Sequence, residues 1–310
     1  MTTSSTTTFN LELDDLVEEA FERCGTQLRS GYDFRTARRS LNLLTIEWAN
    51  KGINLWTIEQ QQIVMNTGQA IYALPIDTID ILDAVTRQYN GMQTNQIDIN
   101  LSRISESTYS TIPNKNATGR PIQMWVDRQS GNLNGLATTT LASGIGPSDT
   151  TITLTSTVGL PTTGFIKVGN EIIAYQNIVG NQILNAWRGQ ANTTAALHGS
   201  GASVYIYRIP ALYVWPTPNP PGDQYTLVYY RMRRPQDAGD GTTTEDIPFR
   251  FLNCMAAGLA YYLSMKLPDV DPNRIPMLKA DYDQQFQLAA DEDRDKASLR
   301  FVPRNMFYYR

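Results

Sequence analysis

From residue 131 to residue 203 charged side chains nearly vanish, and Thr, Gly, Asn and Ser dominate. No other feature limits the possible folds so sharply. Within that stretch Asp149-Thr150-Thr151-Ile152-Thr153-Leu154-Thr155 alternates with period two, the pattern of a half-buried strand. Phe165-Ile166-Lys167-Val168, a turn at Gly169-Asn170 and Glu171-Ile172-Ile173-Ala174-Tyr175 predict a hairpin, and Gly180-Asn181 turns the chain again before Ile183-Leu184. Short strands with closely spaced turns describe a small all-β module. The chain resumes one style on either side, with Pro121-Ile122-Gln123-Met124-Trp125-Val126 before and Ala211-Leu212-Tyr213-Val214-Trp215-Pro216 after. Residues 132–206 are therefore expected to be an insertion in a loop between two strands of one parent sheet, because insertions are accommodated at exposed loop tips.

Outside this module the two ends of the chain are helical in pattern. Leu13, Leu16, Val17, Ala20, Phe21, Cys24 and Leu28 follow the 3.6-residue stripe of an amphipathic helix, with Ser30-Gly31 as its expected end. Asp14, Asp15, Glu18 and Glu19 crowd its first turns, where acids favour the positive end of the macrodipole. Phe34, Ala37, Leu41, Leu44 and Trp48 mark a second helix, with Asp33 as expected cap and Gly52 as terminator. A third is expected from Asp246 as cap and Pro248 in the first turn through Phe249, Leu252, Met255, Leu259 and Leu263. A fourth follows Asp271-Pro272 and carries Ile275, Leu278, Tyr282, Phe286 and Ala289. Between the helical ends, residues 69–74, 79–87, 121–127 and 224–231 read as strands, the second pairing with what precedes it, and residues 99–109 as a short helix. The expected class is α+β. A helical core of two N-terminal and two C-terminal helices packs with an antiparallel β part. Residues 1–131 and 207–310 form one discontinuous core, and 297–310 are an extended arm.

Several functions are disfavoured. The 310 residues suggest roughly two domains at about 150 residues each. There are 26 basic and 30 acidic residues, a net charge of -4, whereas gripping nucleic acid through its phosphates needs a basic face. No apolar run is long enough to span a membrane, and the Thr/Ser-rich residues 1–10 do not read as a secretory signal. Cys24 and Cys254 sit inside helical patterns and read as small buried hydrophobes, and the single histidine, His198, reads as a turn residue in a Gly/Ala/Ser/Thr-rich loop. No metal, cofactor or catalytic site is expected. Asp14 with Glu18, and Glu18 with Glu22, are four apart on one helix face. This is the spacing that paired-carboxylate glycan hydrolysis could use, although an ordinary solvated face explains it more simply. Glu19 and Arg23 read as a surface pair, and Gly239-Asp240-Gly241 lies in a polar linker.

The last residues change character. Arg300, Phe301, Arg304, Met306, Phe307, Tyr308, Tyr309 and Arg310 gather residue types enriched at interface cores, and disorder-prone compositions contain few aromatics. They are expected to form a partner-binding arm.

The order of several short motifs resembles a known family. These are Trp48-Ala49-Asn50-Lys51-Gly52 and Leu55-Trp56, then Tyr109 with Pro113-Asn114-Lys115, Thr118-Gly119-Arg120-Pro121, Val214-Trp215-Pro216-Thr217-Pro218, and Asp246-Ile247-Pro248 before a Tyr-rich helix. Over residues 11–129 and 207–290 the chain is similar to the head-to-tail adaptors of short-tailed bacteriophages, also called tail accessory factors or tail tubular proteins of the A type. The resemblance implies a non-enzymatic virion protein at the head–tail junction, assembled in the host cytoplasm. It implies a ring of twelve copies between the portal protein and a tail nozzle or tubular protein. It also implies arms that reach the portal and a lumen through which viral DNA passes without specific binding during ejection. The inserted residues depart from the short family pattern and resemble a β module of phage virion proteins, through Val168-Gly169-Asn170-Glu171, Trp187-Arg188-Gly189-Gln190 and His198-Gly199. The alternative reading is a tail-associated glycan-binding or glycan-hydrolysing protein.

Overall fold

The helices of the chain ends assemble around one of their number. A computed structural model describes residues 9, 11–52, 55–92, 94–129, 138–219, 224–240 and 242–293. They are α+β, and the chain divides into two compact units, residues 1–57 with 235–310 and residues 58–234. In the first unit the helix Leu252–Ser264 is buried along almost its whole length, including Cys254 through Ala260. The helices Leu13–Cys24, Gly31–Asn50 and Arg274–Glu292 all pack on it. The stripe Leu13, Leu16, Val17, Ala20, Phe21 and Cys24 is buried, as its spacing dictates. Gly258 lets the helices approach closely, since a Cβ there would lie 2.8 Å from a Leu44 methyl and 2.9 Å from the Tyr282 ring. Trp48 is closed over by Phe251 and Phe286 and donates its indole N–H to the Tyr282 hydroxyl at 3.0 Å.

The ends of these helices differ in part from expectation. The first stops at Gly25, whose φ of 79° supplies the left-handed turn while its N–H reaches the Glu22 carbonyl. Ser30 belongs to the next helix, where its hydroxyl accepts from the Asp33 N–H. Ser30, not Asp33, is the cap. Asp246 does not cap the third helix either. Its carboxylate accepts from the Gln236 N–H, and a 3-10 turn, Phe249–Phe251, leads into the helix instead.

The second unit is built mainly from antiparallel sheets, with parallel pairing of Ser102–Arg103 on Gln123–Asp127 and of Thr217–Pro218 on Thr118–Gly119. One has the strand order Ile58–Val64, Thr226–Arg233, Thr78–Gln88, Ile97–Asn100. Thr78–Gln88 thus pairs with a strand far along the sequence and with the one that follows, not with what precedes it. The short helix expected over residues 99–109 shrinks to Glu106–Ser110. Ile97 and Ile99 alternate with polar residues in the strand Ile97–Asn100, and Ser105 caps the helical turn by accepting from the Thr108 N–H. Arg231, buried in this sheet, is held by Glu59, Asp77 and Thr78.

Another sheet has the order Ile71–Ala73, Ala211–Trp215, Gln123–Asp127, Ser102–Arg103. The strands flanking the low-charge stretch are direct neighbours here, with Ala211 opposite Asp127 and Trp215 opposite Gln123. The chain therefore leaves and rejoins one sheet at adjacent positions. Between them lies a six-stranded sheet, Thr139–Thr140, Ser203–Tyr207, Gly164–Val168, Glu171–Val179, Gln182–Trp187, Ile152–Thr153. It includes the expected hairpin, with Val168 opposite Glu171. This sheet encloses its own core of Leu141, Ile152, Ile166, Ile173, Ile183 and Val204. A second cluster joins it to the parent sheet, where Phe165, Ile172 and Ala174 meet Ile71, Ala73, Ile209 and Ala211. Side-chain amides reinforce that seam. Gln176 accepts from the Ala70 N–H at 3.0 Å, and Gln69 donates to Gln190 at 3.1 Å.

Candidate interaction surfaces

The expected arm residues, Arg300, Phe301, Arg304, Met306, Phe307, Tyr308, Tyr309 and Arg310, lie outside the described residues. The paired carboxylates of the first helix are placed as their spacing requires. Asp14, Glu18 and Glu22 are exposed on the face opposite the buried stripe, and Glu19 receives Arg23 at 2.7 Å. They stand on the outer surface of a helix. Both cysteines are buried structural residues, and burial pushes the Cys24 thiol up to about 11 and the Cys254 thiol up to about 12.

Inside the helical unit the polar groups form a connected set. Glu47 accepts from Lys51 at 2.6 Å, from the Tyr262 hydroxyl at 2.5 Å and from the Tyr282 hydroxyl at 3.3 Å. Burial opposes the charge on Glu47, but the hydrogen bonds from Lys51 and Tyr262 outweigh it and hold its carboxyl below the ordinary value. Glu245 is the opposite case. Its Oε1 is buried without a hydrogen-bond partner among the described residues. Burial, aided by nearby Asp246 and opposed by Arg38, raises its carboxyl to about 7.

His198 is more than a turn residue. Its Nε2 lies 2.8 Å from Glu171, a carboxylate with no exposed side-chain surface, which Arg188 grips through two bonds of 2.7 Å. The N–H groups of Gly189 and Ala196 complete the shell around Glu171. Burial opposes its charge, yet Arg188, the Ala196 N–H and His198 bring its carboxyl down to about 2. The three residues tie the hairpin, the Trp187-Arg188-Gly189-Gln190 corner and the His198 loop together. Every oxygen of Glu171 is engaged, so the arrangement is a clamp and not a proton shuttle.

The parent sheet presents an aromatic cluster that the sequence reading did not identify. Trp125 packs on Tyr109 at 5.4 Å and on Tyr213 at 4.6 Å between ring centroids. Trp125 and Tyr213 border a cavity of about 550 Å³, whose wall also holds Asp127, Thr163 and Arg208. Burial raises the Asp127 carboxyl, and burial together with Asp127 raises the Tyr213 hydroxyl. Among the described residues the lining offers one carboxyl and neither a histidine nor a cysteine to act with it. Period-two alternation could have flagged the pair, since Trp125 and Tyr213 are opposite each other in the register.

Among the described residues there is no group of three or more metal-ligating side chains, and no helix is long and apolar enough to cross a membrane. A family model described as SU10 adaptor protein matches residues 116–305. No curated protein matches the chain at a significant level.

Proposed function

We propose, from the premise that this chain belongs to the SU10 adaptor protein family, that it is a structural connector of a bacteriophage virion. In this reading the chain forms an oligomeric ring of twelve copies at the head–tail junction. The portal protein lies on one side and a tail nozzle or tubular protein on the other. The family match carries the reading, because it spans the two parent-sheet strands Gln123–Asp127 and Ala211–Trp215, the inserted strands between them and the C-terminal helices together. The role is one of joining and conducting, with no chemical step. Charge supports it. A ring of chains with a net charge of -4 each forms few phosphate contacts, so duplex DNA slides through without being held.

Residues 297–310 are the portal-binding arm in this reading, with Phe301, Met306, Phe307, Tyr308 and Tyr309 as apolar anchors and Arg300, Arg304 and Arg310 as charged contacts. Residues 132–206 are a peripheral module carried by the core. The test is co-purification with the portal protein, read by size-exclusion mass and electron imaging. The full chain is expected to co-migrate as a large ring. A chain lacking residues 299–310 is expected to keep its circular dichroism and thermal transition but lose the complex. A full chain that stays apart from the portal at all concentrations overturns the connector reading. A truncated chain that still assembles overturns the role of the arm alone.

A further inference from the structure

The helical unit carries two faces of opposite charge that do not meet. On Leu13–Cys24, the exposed Asp14, Asp15, Glu18 and Glu22 have no cation within ion-pair distance among the described residues. On Gly31–Asn50, Tyr32, Arg35, Arg39, Leu43 and Ile46 recur at intervals of three and four and so share one outward face. Tyr32 is 65% exposed, Leu43 52% and Ile46 56%. The arginines here donate their hydrogen bonds to neutral groups, and Arg38 also lies near enough to the Glu245 carboxyl to act on its charge. Arg35 donates to the Gly31 carbonyl, Arg38 to the Ala238 carbonyl and Arg39 to the Thr36 hydroxyl. A hollow of about 490 Å³ lies between Tyr32, Arg35, Arg38, Arg39 and Asn42. Near the N-terminal end of the acidic helix, Phe9 stacks on Phe249 at 5.6 Å, and the two remain 67% and 58% exposed.

We propose that these faces are the two halves of one contact between copies of this chain. The acidic face of Leu13–Cys24 in one copy lies antiparallel on the arginine face of Gly31–Asn50 in the next. In that orientation Glu18 and Glu22 meet Arg39 and Arg35, and Phe9 with Phe249 comes to Leu43 and Ile46. Partly desolvated Arg–carboxylate pairs are stronger and more directional than solvated ones, and the apolar ends bury side chains that each copy leaves in water. Like charges across the wrong face disfavour other registers. Because the two patches differ, the contact is head-to-tail and propagates until rotation closes it into a ring. The proposal rests on the ring reading above and supplies the surface through which the ring is built.

The test uses two full-length charge-reversal variants. One carries Asp14→Lys, Glu18→Lys and Glu22→Lys, and the other Arg35→Glu and Arg39→Glu. Circular dichroism confirms that each is folded, and Asp14→Asn with Glu18→Gln and Glu22→Gln serves as a milder acidic-face variant. Sedimentation velocity at low salt is expected to show the natural chain in species larger than dimers that dissociate as salt rises. Each reversed variant alone is expected to be monomeric, and their equimolar mixture to reassociate, because each then meets a complementary neighbour. Variants that associate as the natural chain does, or a mixture that stays dissociated, overturn the proposal. So does a natural chain that remains monomeric at the highest concentration reached. In any of these cases a ring that still forms on the portal leaves the connector reading standing. Binding of labelled duplex DNA that is lost with Arg35→Glu and Arg39→Glu, while association is unchanged, reassigns the arginine face to nucleic acid.

Discussion

At the scale of single residues, stability is concentrated where close packing and buried charge leave no slack. Gly258 is the clearest packing case. Intrinsic helix propensity favours alanine over glycine by about 1 kcal/mol, yet a Cβ at this position would press on Leu44 and Tyr282, both buried in the same core. Overpacking a filled core costs roughly 1–3 kcal/mol. Gly258→Ala is therefore expected to lower the thermal transition of the helical unit, which calorimetry would read; a rise would show that the helices can part at no cost. Glu245 makes a pH-dependent contribution. Its carboxyl is raised in the folded chain from 4.5 to about 7, so the unfolded chain releases the proton first as pH rises. Stability is then fully present below the lower value and lost as pH climbs through the higher one. Glu245→Gln removes a charge whose Oε1 has no hydrogen-bond partner among the described residues. Its melting temperature is expected to match that of the natural chain near pH 4.5 and to exceed it at pH 8. Parallel profiles for the two would contradict this account.

At the scale of elements, the Glu171–Arg188–His198 clamp decides how well the inserted sheet holds together. Arg188→Met keeps the aliphatic stem but strands a carboxylate with no exposed side-chain surface, and such a loss costs about 3–5 kcal/mol. Hydrogen exchange at the Glu171–Val179 strand is expected to accelerate far more than exchange at Thr226–Arg233, which lies in another sheet. Equal acceleration would mean that the clamp serves the whole unit. The sequence exposed half of this clamp. Glu171, Arg188 and His198 stood in recognisable short motifs, but the hydrogen bond joining His198 to Glu171 crosses 27 positions, and nothing local sets that distance. The same limit applies to strands. The hairpin around Gly169-Asn170 was legible because its partners are adjacent. The insertion of Thr226–Arg233 between Ile58–Val64 and Thr78–Gln88 was not, because choice of strand partner is settled by the core and not by alternation. Helices Leu13–Cys24 and Gly31–Asn50 were legible from their apolar stripes, whereas their exact caps depended on whether Ser30 or Asp33 reached a free N–H.

At the scale of the whole molecule, the chain crosses between its two units twice, after Thr57 and after Arg234. The composition shift at the inserted sheet marks a different border, and the passage from Thr57 into Ile58–Val64 carries no such shift. Physical separability follows the contacts. Ile58 is opposite Met232 in a ladder, and the Arg234 N–H bonds the Asp77 carbonyl, so the entry and exit of residues 58–234 are neighbours in one sheet. A segment whose ends are already held together loses little on excision, because no loop must be closed anew. Residues 58–234 alone are accordingly expected to unfold in one cooperative transition near that of the same unit in the full chain. Residues 1–57 joined to 235–310 by a short Gly/Ser linker should retain the helical transition, since Leu252–Ser264 keeps all three of its packing partners there. Calorimetry of the full chain and the two pieces would decide the matter. If residues 58–234 prove molten in isolation, with expanded volume and no cooperative heat absorption, then the sheets depend on the helical unit for their packing and the units are one folding domain.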